Sequence, residues 1–219
     1  MLTRWWTLFA LELRLEFRQR VSLAGVLLFV AGVAYLFSLA FGALEPRLWN
    51  ALFWVVLLFG AVNGLAGAFR RELTYRYAYY HQLAAPLELY AAKAAANTLL
   101  LLVVGLLAWG ALGLLFGNPV RDAGLFALAL GLGSLGLALT LTFLAALAGR
   151  VRSGGTGLVA ILAFPVVVPL LLTTVKLGAV ATRVVAQTST AKDVGLLGGV
   201  VALSLGLALL LVPAVWREG

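Results

Sequence analysis

The side chains that most often bind metals and haem are nearly missing from this sequence. Its 219 residues include no cysteine and one histidine, His81, and the only methionine is the first residue. Without cysteine, the chain can form neither a disulfide nor a thiolate metal site. Haem iron is held by His, Cys, Met or Tyr, so few side chains remain for that role as well. We therefore predict no catalytic, cofactor-binding or metal-binding residues in this chain.

Charged residues are also scarce. They make up 11% of the chain, whereas a soluble protein contains about a quarter. Hydrophobic residues make up 63% and occur in long runs, which is typical of an integral membrane protein with several spans. The formal net charge of +8 does not indicate nucleic acid as a partner. The basic residues cluster at the ends of apolar runs, where cytosolic loops of membrane proteins carry them.

Two further absences restrict how such a protein could do work. No acidic residue lies in the middle of an apolar run, although ion-coupled transporters usually keep ionisable groups within the membrane. The sequence also has no Walker A motif, because none of its three lysines follows a glycine. If the protein does work, we expect a separate ATPase to supply the energy.

The apolar runs predict an all-α fold with six transmembrane helices, since each is about as long as the roughly 20 residues that cross a bilayer. The predicted spans are 21–41, 48–69, 94–116, 123–148, 156–174 and 193–216. Residues 1–20 combine tryptophans with basic residues. They predict an N-terminal interfacial helix or, alternatively, the frayed start of the first span. The mixed segment 175–192 is either an interfacial or partly re-entrant helix or a plain loop.

The distribution of Lys and Arg predicts the orientation in the membrane. Eleven of the 16 lie in one set of loops, which includes both chain termini, and five lie in the other set. Because cytosolic loops carry the excess of basic residues, the first set should face the cytoplasm. We therefore predict that both termini are cytoplasmic.

The longest polar interruption, 70–93, lies between the second and third predicted spans and should be a cytosolic coupling loop. Leucine and tyrosine at 73, 77, 80 and 83 share one helical face, and Glu72 can pair with Arg76 one turn later. Pro86 disfavours helix at Ala85 and can start the next helix. We predict that this loop, together with the next basic loop, docks an ATPase. The predicted ATPase-coupling residues are Arg70, Arg71, Glu72, Leu73, Arg76, Tyr77, Tyr80, Leu83, Arg150 and Arg152. The alternative is an ordinary cytosolic loop.

Three other features have plainer interpretations. The motif GLGSLG at 131–136 matches a dinucleotide fingerprint, but it lies inside an apolar span and predicts helix packing. Ser134 within it does not indicate an intramembrane protease, because the only histidine is in the predicted cytosolic loop. The six tryptophans lie mostly near span ends, where we expect them to form an aromatic belt.

Two prolines four residues apart, Pro165 and Pro169, interrupt the fifth predicted span. Each removes a backbone donor and clashes with the preceding turn, so neighbouring helices must satisfy the freed carbonyls. We predict a kinked or discontinuous helix. The prolines are a candidate helix hinge, and a static kink is the alternative.

Several segments together resemble the CcmB family, also called haem exporter protein B. They are LELRLEFR near the N-terminus, LAAPL after the coupling loop, RVRSGG at 150–155, and the PVVVPLLL span that comes next. The resemblance covers essentially the whole chain. One departure is the stretch RYAYYH at 76–81, where relatives often carry a glycine followed by an acidic residue.

The resemblance implies a single permease domain, 1–219, similar to type-2 ABC exporters and located in the bacterial inner membrane. It implies a cytosolic ABC ATPase homodimer, a second permease copy, a sibling haem-handling membrane protein and, indirectly, a periplasmic haem chaperone as partners. ATP would bind only to the partner, and haem would be handled by the complex. The implied function is to couple ATP hydrolysis to haem delivery or to release of the haem-loaded chaperone. The alternatives are a lipid or glycan permease and a membrane scaffold without a transport cycle.

Overall fold

The computed structural model describes residues 2–18, 20–65, 85–148, 155–186 and 190–217. Those ranges contain seven α-helices. They are α1 (Leu2–Arg18), α2 (Arg20–Ala40), α3 (Pro46–Leu65), α4 (Pro86–Phe116), α5 (Ala123–Ala148), α6 (Gly155–Ala181) and α7 (Thr190–Arg217). The predicted all-α class is confirmed for these residues.

Five of these helices are long and apolar enough to cross a membrane, namely α3 to α7. The first predicted span, 21–41, corresponds to α2, whose apolar part Leu27–Ala40 is shorter. Large apolar side chains on the outer surface remain exposed, among them Leu28, Leu114 and Leu210. A helical bundle with such a surface is suited to lipid, because a soluble monomer rarely exposes so much contiguous apolar area.

Helix α4 begins at Pro86, as its sequence predicts. Ala85 is extended (φ −66°, ψ 144°), and its backbone N–H lies 3.4 Å from a carboxylate oxygen of Glu88. The proline needs no backbone donor in the first turn, so it suits this position. As a result, the helix starts eight residues before the predicted third span. Lys93, assigned from the sequence to the coupling loop, therefore lies within α4.

Helix α5 is the centre of the bundle and contacts α3, α4, α6 and α7. Two glycines of the GLGSLG motif make this close packing possible. A Cβ at Gly133 would lie 2.9 Å from Cγ2 of Thr174, and one at Gly136 would collide with Cδ1 of Leu170. The prediction that this motif serves helix packing is confirmed.

Helix α6 differs from its predicted form in two ways. It runs without interruption through Pro165 and Pro169, so the discontinuous alternative is wrong. It also continues to Ala181, so residues 175–181 are neither an interfacial helix nor a loop. The helix ends in a turn, in which Arg183 adopts a left-handed conformation (φ 56°). Its N–H donates to Val180 O, and the N–H of Val184 donates to Ala179 O, which satisfies carbonyls at the helix end.

Backbone contacts bring two predicted outer loops together at one end of the bundle. The N–H groups of Arg121 and Asp122, which lie between α4 and α5, both donate to Ala181 O at 3.0 Å. At the same end, Nδ2 of Asn50 near the start of α3 donates to Val175 O in the last turns of α6. This arrangement agrees with helices that alternate in direction.

Candidate functional site

The predicted coupling residues cannot be placed, because all of them lie outside the described residues. They are Arg70, Arg71, Glu72, Leu73, Arg76, Tyr77, Tyr80, Leu83, Arg150 and Arg152. The structure does describe the first turns of α4, into which the coupling loop leads. Buried polar side chains of these turns connect α4 to two other helices at the predicted cytosolic end.

The central feature of this region is an ion pair. Nζ of Lys93 lies 3.0 Å from Oε2 of Glu12 in α1. Only 5% of the Lys93 side chain and 7% of the Glu12 side chain are exposed. Buried charges are rare unless they are paired, and this pair joins α1 to α4. The sequence does not reveal this pair, because Glu12 and Lys93 are 81 residues apart and the polar segment before Lys93 predicts a loop.

Two neighbours of Lys93 on α4 tie the same end of this helix to α5. The hydroxyl of Tyr90 donates to Leu139 O at 3.0 Å, and Nδ2 of Asn97 donates to Oγ1 of Thr142 at 2.8 Å. Positions 90, 93 and 97 have helical spacing, so they form one stripe along α4. We call Tyr90, Lys93 and Asn97 the polar stripe of α4. It joins α1 and α5 through buried polar contacts.

The opposite, predicted outer end of the bundle has an aromatic cluster, which is buried except for the partly buried Trp109. It consists of Trp49, Phe53, Trp54, Trp109 and Phe126, whose adjacent ring centroids are 4.8–6.3 Å apart. Trp49 is 0% exposed and Trp54 is 1% exposed. The aromatic-belt prediction is therefore wrong for these two residues, because α3 turns them towards α5 instead of the lipid.

Hydrogen bonds fix the orientation of two of these tryptophans. Nε1 of Trp54 donates to Oδ1 of Asn50 at 3.1 Å inside the bundle, and a Cβ at Gly178 of α6 would collide with both side chains. Nε1 of Trp109 donates to Oδ1 of Asn118 at 3.2 Å, in an exposed position. The first bond lies within α3, whose Asn50 also bonds to Val175 O of α6, and the second holds the end of α4 against its own loop.

A second ion pair at the outer end connects α6 to α7. Nζ of Lys176 lies 2.7 Å from Oδ1 of Asp193, and 52% of the Lys176 side chain is exposed. Asp193 lies in the first turn of α7, where a negative charge is favourable. Because Lys176 is accessible to solvent or headgroups, this pair can serve as an exposed control for the buried pair of Glu12 and Lys93.

The candidate hinge residues lie in a helix that packs against α5. Pro165 is exposed and Pro169 is partly buried, while Leu170 is fully buried near Gly136. The hydroxyl of Thr173 donates to the carbonyls of Pro169 and Leu170 at 2.9 Å. No group of three or more His, Asp or Glu residues that could hold a metal ion occurs within the described ranges.

The chain matches the family described as CcmB protein over residues 3–218, nearly its whole length. The chain belongs to the CcmB family. No curated protein matches it. Membership in the CcmB family identifies the chain as a multi-pass membrane component of a cytochrome c maturation haem exporter, an ABC transporter that includes an ATPase and other Ccm components.

Proposed function

We propose that this chain is the permease subunit that couples ATP hydrolysis to haem delivery or to release of the haem-loaded periplasmic chaperone. The match to the CcmB family over residues 3–218 carries this proposal. In the proposed complex, two copies of the chain meet a cytosolic ABC ATPase homodimer and a sibling haem-handling membrane protein. The chain itself does no chemistry on ATP, and it transmits a mechanical change across the membrane.

We further propose that the ATPase docks on the coupling loop, between α3 and α4. The helical spacing of Leu73, Tyr77 and Leu83 supports this placement, because it provides an apolar face for a soluble partner. Changing all three to Asp should abolish co-purification of the ATPase, while the amount of permease in the membrane stays unchanged.

The matched control for this docking test is a triple Asp substitution of Gly42, Val185 and Ala186, which are exposed at the predicted outer end. It should retain the ATPase. Stoichiometric ATPase bound to the variant of Leu73, Tyr77 and Leu83 would contradict docking on this loop. If no ATPase co-purified with the wild type either, the proposed coupling function would be contradicted and the scaffold alternative would be favoured.

The proposed topology has six spans, with α2 crossing the membrane and α1 lying on its cytosolic surface. The aromatic residues of α1 support the second part, because Trp5, Trp6 and Phe9 form contacting rings and Trp6 is 59% exposed. Such a tryptophan is typical of a membrane interface.

The absence of cysteine allows a direct test of this topology. Single substitutions Gly42→Cys and Asn118→Cys, both at exposed positions, should react with a membrane-impermeant maleimide in intact cells. Ala10→Cys, exposed on α1, should react only after the cells are lysed. Reaction of Ala10→Cys on the same side of the membrane as Gly42→Cys, with both labelled or both protected in intact cells, would show that α2 does not cross.

A further inference from the structure

The contact between α1 and α4 includes a buried charged group from each helix. Glu12 and Lys93 are both almost fully enclosed, and their charged atoms are 3.0 Å apart. Separating them would take a close opposite charge away from each of two buried groups, which is far less favourable than breaking an exposed pair. The contact should therefore stay closed when the surrounding helices move.

The position of Lys93 in the chain makes this contact relevant to coupling. Lys93 lies in the second turn of α4, and α4 is the first described element after the coupling loop. The polar stripe of α4 also binds α5 through Tyr90 and Asn97. A displacement of the start of α4 would therefore act on α1 through Lys93 and on the central helix, α5, through Tyr90 and Asn97.

We propose that Glu12 and Lys93 are positioning residues that make α1 and the cytosolic end of α4 one rigid body. Through this body, a displacement of the coupling loop would move the N-terminal helix along the membrane surface. This inference rests on the proposed function for its role in the ATP cycle. The rigid body itself does not depend on the ATPase.

The first experiment measures how rigidly α1 is held on α4, first in the chain alone and then in the complex. Spin labels are attached at Ala10→Cys and Ala91→Cys, which are exposed positions on α1 and α4 in a chain without native cysteine. In the purified chain, the distribution of distances between the labels should be narrow. The additional substitution Glu12→Gln should broaden it at least about twofold, whereas Asp193→Asn in the outer pair should leave it unchanged.

In the complex with the ATPase, the same label distance should be identical without nucleotide and with a non-hydrolysable ATP analogue. A distance that changes between these states would overturn the rigid body. An unchanged width after Glu12→Gln in the isolated chain would show that the ion pair does not hold the helices. Loss of the ATPase from the wild type would contradict docking and leave the measurement on the isolated chain valid.

The second experiment separates a positioning role from a purely structural one. Glu12→Gln and Lys93→Gln should each retain the ATPase but lower cytochrome c maturation, per assembled complex and per ATP hydrolysed, by about tenfold. The exchange of charges, Glu12→Lys with Lys93→Glu, should recover most of that loss, and Lys176→Gln should match the wild type. Normal maturation in both single variants would overturn the proposal. It would also be overturned if the exchanged variant matured no more cytochrome c than the single variants do.

If the single variants fail to accumulate, Lys93→Arg replaces them in the test, because it keeps the charge. It should mature cytochrome c normally, and loss of maturation at normal abundance of this variant would overturn the role of the ion pair.

Discussion

At the scale of single residues, the interior of the bundle is organised by a few polar side chains among many apolar ones. Asn50 is the clearest case, because its amide accepts from Trp54 and donates to Val175 O. Both contacts are buried or partly buried, and Gly178 leaves room for them. Removing such a side chain leaves a donor without a partner, which costs about 1–3 kcal/mol.

The pair of Trp54 and Asn50 should therefore matter more for stability than the similar pair of Trp109 and Asn118. We expect Asn50→Ala to lower the free energy of unfolding in detergent by about 1–3 kcal/mol. Unfolding is monitored by tryptophan fluorescence. Asn118→Ala is the control, since its bond with Trp109 is exposed and water can replace it. Equal losses of stability in the two variants would show that burial does not make the Asn50–Trp54 bond more stabilising than the exposed Asn118–Trp109 bond.

At the scale of elements, α6 shows that two prolines need not divide a helix. Pro165 and Pro169 lie within a continuous helix, and its buried Leu170 packs in the space left by Gly136. A proline in a helix interior costs about 3 kcal/mol, so two of them must be compensated by packing against α5. The continuous helix leaves both alternatives, a hinge and a static kink, to be tested.

The double variant Pro165→Ala with Pro169→Ala should distinguish a hinge from a kink. It restores two backbone donors and should bias any equilibrium between two helix arrangements. We expect a complex that assembles and hydrolyses ATP but matures little cytochrome c, measured by haem staining of cell extracts. Pro213→Ala is the matched control, because Pro213 is also inside a helix, α7, and it should mature cytochrome c normally. Normal maturation in the double variant would make the two prolines static packing features.

At the scale of the whole molecule, the family's connection with haem contrasts with the side chains available. His81 is the only His or Cys in the chain, and it lies in the coupling loop, on the predicted cytosolic side. In the predicted orientation, a ligand in that loop would be on the opposite side of the membrane from an outward release site. We propose that haem found with the complex is held by a partner and that this chain contributes mechanical work.

The purified chain without partners should therefore bind no haem through a side-chain ligand. Haem is added to the wild type and to His81→Ala, and absorption spectra are recorded. We expect the same spectrum for both proteins, without a stoichiometric shift of the Soret band. A shift that His81→Ala removes would show direct ligation and would favour passage of haem through this chain.

Composition and local pattern alone determined the class of protein. Scarce charge and long apolar runs indicated a helical membrane protein, Pro86 marked the start of α4, and the glycines at 133 and 136 indicated close packing. These features are local, because a helix boundary or a missing Cβ acts within one turn or at one contact. The resemblance to the CcmB family, carried by short motifs, was confirmed by the match over 3–218.

Only the tertiary structure decided which apolar or polar residues face the interior. Hydropathy does not distinguish a lipid-facing leucine from an interior one, since both surroundings are apolar. For the same reason, a position near a span end predicts a membrane belt for Trp49 and Trp54, although both are buried. The pairing of Glu12 with Lys93 could not be read from the sequence, because it joins two helices that only the folded bundle brings together. In the folded bundle, Lys93 is a buried residue of α4 that pairs with α1 and not a cation in a loop.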